Sequence, residues 1–367
     1  MTASSVRFML FVGISLLLVQ CKSGKEEKEP VVQYDPAMDT LRYPEETHLR
    51  NVQQLTFDGD NAEGYWSFDN TMMVYQYRNK ENGVPCDQIY YGNIPTDGKR
   101  FSSSLISNGQ GRTTCSYFLP GNQKVIYAST FKQVDTWISD PDKSKGYLWG
   151  VYNSYELYIS DLQGNILQQL TDNNFYDAEA VVSPKGDKIL FTSDRSGDLE
   201  LWTMNMDGSD LKQITNALGY DGGAFFSPDG SMIVFRASRP KTDEEVKKYK
   251  TLLQEQLVQP TAMEIFVCNA DGSEMHQVTN LGGANWAPYF HPDGKKIIFS
   301  SNHNTKSIPF NLYMINLDGT GLEQITHDDI FDAFPMFSYD GKRIIFASNR
   351  FAAHPHDTNL FVADWVD

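Results

Sequence analysis

Seven side chains that could do chemistry stand at comparable places along this chain, each just ahead of a short apolar run: Glu63, Arg112, Asp177, Glu179, Asp221, Trp286 and Asp332. Gathered at one opening, such carboxylates would make an acidic funnel for a cationic group, a cation or a basic peptide segment. A pair of them at the right separation would also serve glycoside cleavage. Asp recurs at 177, 221 and 332, where a short acidic side chain equally caps loop backbone. Glu63, Arg112, Glu179 and Trp286 break that recurrence and are the more specific candidates. Four histidines, His303, His327, His354 and His356, raise a metal-dependent lyase as a further reading. Against an enzyme, the chain carries no G-x-S-x-G nucleophile turn and no H-E-x-x-H. Binding without catalysis is therefore the expectation, with no cofactor and no metal site; Trp137, Trp149 and Trp286 are alternative stacking platforms for a glycan.

What must position these residues is a repeat. Its clearest form reads FFSPDGSMIVFRAS (225–238) followed by EIFVCNADGSEMHQVT (264–279), and the same grammar recurs six times. The residue ending the first turn of each unit falls at Asn70, Asn122, Gly186, Gly230, Gly294 and Gly341. The shortest spacing, 44 residues, suits four short strands per propeller blade. Pro-Asp-Gly and Asp-Gly between β-branched runs predict tight hairpins, because Pro presets φ and Gly accepts φ > 0. Each unit is thus a four-stranded antiparallel meander. The chain opens with VQQLTF (52–57), a fourth-strand phrase with no unit before it, and finishes with NLFVADWVD (359–367), a third strand with no fourth. These two defects complement each other. The expected fold is an all-β, six-bladed β-propeller over residues 51–367, closed by the N-terminal strand completing the last blade.

The phrases QLT, SPDG, FTSDR and MNMDG resemble the TolB-type β-propeller repeats of the Gram-negative envelope. The resemblance covers residues 50–367 and implies a propeller that docks an envelope protein or peptide through one face. Residues 22–50 are too few for the separate N-terminal α/β domain that TolB-type proteins carry, so the propeller alone is expected.

The working face follows from the meander. Fourth-to-first and second-to-third connections emerge together, opposite the uniformly tight Pro-Asp-Gly turns. Two long insertions lie among them, 131–154 in blade 2 and 239–262 in blade 4. The second reads as a helix capped by Asp243, with Val246, Tyr249, Leu252, Leu253 and Leu257 as a stripe packed on its own blade. Arg195, Arg236 and Arg350 end second strands there and are expected to pair with nearby aspartates as clamps between blades.

The first twenty residues read as an export signal: Arg7 precedes the apolar FMLFVGISLLLV (8–19), which is too short to span a bilayer. LLLVQC (16–21) makes Cys21 the expected site of lipidation, and Lys22 after it points to the outer membrane. Residues 21–50 are expected to form a tether, and a lipoprotein on the periplasmic side or at the cell surface follows. Net charge is −16, with no basic stripe, which argues against nucleic acid. A single propeller working within a complex is the expected assembly. Cys86 and Cys115 are candidates for a disulfide between adjacent blades, whereas Cys268 reads as a buried apolar side chain.

Overall fold

A computed structural model describes residues 39–367 apart from 97–98, 306–308, 330 and 355–356. The export signal, Cys21, the tether up to residue 38 and His356 lie outside the described residues. Six four-stranded antiparallel sheets form the propeller. Their innermost strands are Asp60–Trp66, Thr113–Phe118, Asp177–Val182, Asp221–Phe226, Asn285–Phe290 and Asp332–Phe337, in blades 1 to 6. In blade 6 the outermost strand is Leu49–Gln54, paired with Asn359–Trp365, so the first strand closes the ring as the repeat predicts.

The turn phrase works through its serine. Ser227 Oγ donates to Asp229 and accepts from the Met232 amide at 2.9 Å, fastening the hairpin across its mouth. With Ser231 also donating, this turn holds the Asp229 carboxyl down at about 2. Ser67, Ser183 and Ser338 accept in the same way from Met72, Lys188 and Arg343.

The QLT phrase works through its threonine. Thr171, Thr215, Thr279 and Thr326 each accept, at 2.8–2.9 Å, the amide of the second residue of the neighbouring third strand: Leu157, Leu201, Ile265 and Leu312. The glutamine two residues earlier folds back onto the threonine carbonyl, as in Gln213 to Thr215 at 2.8 Å. Blade 6 has the same lock supplied from the other end of the chain: Leu360 N donates to Thr56 Oγ1 at 2.9 Å and Gln54 Nε2 to Thr56 O at 2.8 Å. Ser107 replaces threonine in blade 1, accepting from Ile89 at 3.0 Å.

Residues 39–48, assigned to the tether from sequence, are docked. Asp39 accepts from the Asn51 and Val52 amides, and Glu46 makes a fully buried ion pair with Arg350 at 2.8 Å. The one α-helix among the described residues, Asp243–Gln254, is capped by Thr242 rather than Asp243, with Glu245 closing a capping box. Its stripe is half-buried, and the Tyr249 hydroxyl donates to Asp198 of blade 3, so the helix leans on the preceding blade rather than only its own. Among the described residues no helix is long and apolar enough to cross a membrane.

Thr56→Val tests the lock. It keeps shape but leaves the buried Leu360 amide without its acceptor, an expected loss of about 1–3 kcal/mol. Reversible denaturant unfolding would read it; an unchanged midpoint would mean that the Thr56 bond does not hold the ring.

Candidate functional site

Every innermost strand carries a bulge near its start. Pairing with the second strand shifts register between Ala62 and Tyr65, Thr114 and Ser116, Ala178 and Val181, Gly222 and Phe225, Trp286 and Tyr289, and Ala333 and Met336. The first bulged residue in each has positive φ: Glu63 (53°), Cys115 (48°), Glu179 (58°), Gly223 (57°), Ala287 (47°) and Phe334 (54°). A left-handed conformation costs a non-glycine residue on the order of 1 kcal/mol, and five of these six are not glycine. All six line one cavity of about 780 Å³ on the propeller axis.

The cavity is a cup. Its base is packed with rings: Tyr65 against Tyr117 and Phe225, Phe225 against Tyr289 at 5.1 Å, and Phe68 on Tyr339 at 4.7 Å. Its roof comes from the two insertions, which pair with each other. Trp149–Gly150 and Leu257–Val258 form a two-stranded sheet, extended by Val151 N donating to Gln256 O at 2.8 Å. Trp149 packs on Trp286 at 5.2 Å, and Trp286 donates from Nε1 to Pro260 O at 2.7 Å while stacking on Phe310 at 4.4 Å. Trp286 is thus buried as the roof's support, whereas Trp137 is 54% exposed beyond the cup.

Sequence-predicted residues separate into two groups. Glu63, Glu179, Arg112 and Trp286 line the cup. Asp177, Asp221 and Asp332 do not: each is fully buried in an ion pair, with Arg195 at 2.6 Å, with Arg239, and with Arg350 at 2.9 Å. These pairs lie within single blades, not between blades. Arg236 alone of the three expected arginines crosses, reaching from blade 4 to Glu179 of blade 3 at 2.7 Å. In blade 2 the bulge sits at Cys115, one residue beyond the triplet beginning at Arg112 that the sequence suggests. Arg112 instead approaches the cup from the strand's approach loop, held by Asp87 and Asp140. Cys115 was missed as a cup residue, as were Arg78, Asp87, Asp140, Tyr155, Tyr176 and Tyr220; Asn61, Thr113, Asp177, Asp221, Asn285 and Asp332 as common strand openers would have revealed the register.

No Cys86–Cys115 bridge is formed: both thiols are free, Cys86 donating to Ile138 O at 3.3 Å on the third strand while Cys115 faces the axis. Among the described residues no three His, Cys, Asp or Glu side chains gather as metal ligands, and His303 and His327 lie outside the cup lining.

Both oxygens of Glu179 are committed. Oε1 accepts from Arg236 at 2.7 Å and from the Tyr220 hydroxyl; Oε2 accepts from Thr192 at 2.8 Å and the Gly223 amide at 2.6 Å. Burial opposes its charge, but Arg236 and these donors outweigh it and keep the carboxyl below its ordinary value. Among the described residues Glu63 has only the Tyr65 hydroxyl at 3.2 Å and the Cys115 thiol. Burial pushes it up to about 7, and the Glu179 charge adds to that; Cys115, Arg236 and Tyr65 pull the other way. Burial and the two carboxylates raise the Cys115 thiol well above its usual range, so it stays protonated.

A raised carboxyl means that the folded state holds a proton that the unfolded state has lost between about pH 4.5 and 7. Stability should fall across that window and level off above it. Glu63→Gln should remove on the order of 2 kcal/mol of this fall, read as unfolding free energy at pH 5 and pH 8. Parallel pH profiles for both forms would show that Glu63 titrates normally.

The model of the TolB beta propeller domain family matches residues 150–258 and 256–354, more than half of the chain. Solved structures agree in fold. A TolB-type protein from Agrobacterium tumefaciens is 16% identical with a TM-score of 0.54, covering 84% of this chain and 91% of that one. TolB from Acinetobacter baumannii is 16% identical with a TM-score of 0.52, covering 81% of this chain and 64% of that one. A gluconolactonase from Xanthomonas campestris is 13% identical with a TM-score of 0.55, covering 87% and 91%. Comparison with curated protein sequences gives no match. Six repeats, a ring closed by its first strand and the family match lead to one assignment: the chain belongs to the TolB beta propeller domain family.

Proposed function

We propose that this propeller is a non-catalytic docking protein of the cell envelope, held at the outer membrane by a lipid on Cys21. A partner protein is received at the roofed end, with a short segment entering the cup. The observation that carries this reading is where the apolar surface lies. Phe57, Trp137, Tyr147, Phe175, Leu218 and Phe351 are exposed, and all six project from fourth-to-first or second-to-third connections, around the mouth. The other large exposed apolar residues, Leu105, Ile166, Leu167, Leu211 and Leu322, lie on or beside outermost strands. Of these, Leu211 and Leu322 sit in third-to-fourth turns, so the turn end carries two among the described residues against six at the mouth. A rim of this kind around a cavity sized for a small ligand or chain segment suits a protein partner. Family membership supports a protein partner in general. The export signal, the LLLVQC phrase and the polar run after it support the anchor and the outer-membrane address.

An enzyme acting in the same cup is the second reading, and Glu63 favours it: a carboxyl raised to about 7 in an enclosed cavity is suited to general acid–base work. The gluconolactonase likeness is one of fold. A two-carboxylate glycosidase fits less well, since Glu179 has no oxygen free for a second role.

Affinity capture from crosslinked envelopes tests the docking reading. A stoichiometric partner should be retained by the native protein and lost from Phe57→Ser/Phe175→Ser/Phe351→Ser, while Leu167→Ser retains it. Capture indifferent to the rim, or no partner at all, would contradict docking; turnover of sugar lactones or uronate oligomers abolished by Glu63→Gln would establish the enzyme instead.

A further inference from the structure

The blade 2 insertion reaches the edge of the cup with one carboxylate. Asp140 lines the cavity, and both of its oxygens lie 3.1 Å from Arg78 Nη1. Its Oδ1 also accepts from Arg112 Nη2 at 2.8 Å. Arg78 belongs to the second strand of blade 1, Met72–Asn79, and Arg112 to the loop ahead of the first strand of blade 2. One side chain thus joins the insertion to two blades. Partial burial opposes its charge, but Arg78 and Arg112 outweigh it and hold the carboxyl below its ordinary value.

Little else holds this stretch. Among the described residues no backbone-to-backbone hydrogen bond ties 136–146 to the rest of the chain. Of the described side chains from Asp135 to Gly146, only Ile138 and Pro141 are half-buried and none is buried. Its other polar ties include the Cys86 thiol on Ile138 O at 3.3 Å and an exposed pair, Lys145 with Glu255. The two ends, by contrast, are fixed. Asp135 O accepts from Gly111 N at 3.0 Å, and Trp149–Gly150 pair with Leu257–Val258. Gly146, at φ 100°, supplies the bend before that sheet. Opening would leave no bare charge, since Arg78 keeps Asp60 at 2.7 Å and Arg112 keeps Asp87 at 2.9 Å. Asp140 itself is already 39% exposed.

We propose that residues 136–146 form a hinged strap at the edge of the cup, latched by Asp140 on Arg78 and Arg112, and that lifting it admits the docking segment. What passes the strap rests on the docking reading; the strap's own opening does not. A segment with few buried contacts and a single charged tie opens alone, while the ring around it stays closed. Two native thiols report on it. Cys86 bonds Ile138 of the strap, and Cys115 lines the cup. The third, Cys268, is buried within the blade 4 strand Glu264–Asn269 and lies outside the cup lining.

Thiol alkylation of the native protein, followed at each cysteine by mass spectrometry, tests this. Asp140→Ala should speed alkylation of Cys86 and Cys115 together by about five-fold or more, leaving Cys268 and the melting temperature unchanged. Lys132→Ala removes an exposed pair with Asp172 at the foot of the same insertion and should alter none of the three rates. Salt should speed Cys86 and Cys115 in the native protein but not in Asp140→Ala, because screening weakens the latch. Should Asp140→Ala lower the melting temperature, the salt response of the native protein decides. Equal rates in both proteins, Cys86 responding without Cys115, or Cys268 following them with salt would overturn the proposal. Alkylation is read without a partner, so those outcomes leave docking standing; loss of rim-dependent capture would remove docking and leave the strap.

Discussion

Closure of the ring is the constraint on which the rest depends. A six-membered ring has one axis, and only a closed ring brings six bulged residues from six separate sheets to face it. Closure is made by a strand from the far end of the chain, locked by Thr56 and Gln54 with the same bonds that threonine and glutamine make inside four other blades. The Glu46–Arg350 pair reinforces that seam where water is excluded, and Arg350 also takes Asp332. An ion pair of this kind adds little when intact and is costly to break, so it fixes the seam's geometry more than its free energy.

With the ring closed, backbone strain becomes purposeful placement. A bulge in each inner strand turns one side chain to the axis, and those positions are where the blades differ most in chemistry: Glu, Cys, Glu, Gly, Ala, Phe. The openers two residues earlier are alike and buried, as befits residues that satisfy backbone and arginines rather than ligands. Glycine at 223 lets Arg236 cross from the neighbouring strand into the ring, and that passage ties Glu179 down. Two glutamates of one type thereby acquire opposite states. Glu179 is charged and fully bonded, while Glu63 is left with weak neutral partners.

Much of this was legible in the sequence because turn chemistry is local. Pro-Asp-Gly, Asp-Gly and QLT each state their own hydrogen bonds, and the complementary chain ends state the closure. The face that carries both insertions followed from meander geometry, and the two segments pair there. What escaped has a physical reason in each case. A bulge adds a residue without disturbing the apolar alternation on either side, so blade 2 was set one residue early and Cys115 overlooked. The roof depends on two residue pairs joining segments more than a hundred positions apart, which no local pattern encodes. Asp177, Asp221 and Asp332 share a sequence environment with Glu63 and Glu179, but their place before the bulge sends them into the blade, where arginines claim them. Residues 39–48 have the composition of a spacer, yet Glu46 is drawn in by Arg350.

The account centres on one carboxyl held in an axial cup without a cation of its own. Titration of Glu63 alone, by carbon NMR of protein labelled at glutamate and assigned against Glu63→Gln, addresses that claim most directly. A midpoint near 7 is the predicted result. A midpoint in the ordinary glutamate range, near 4.3, would contradict it.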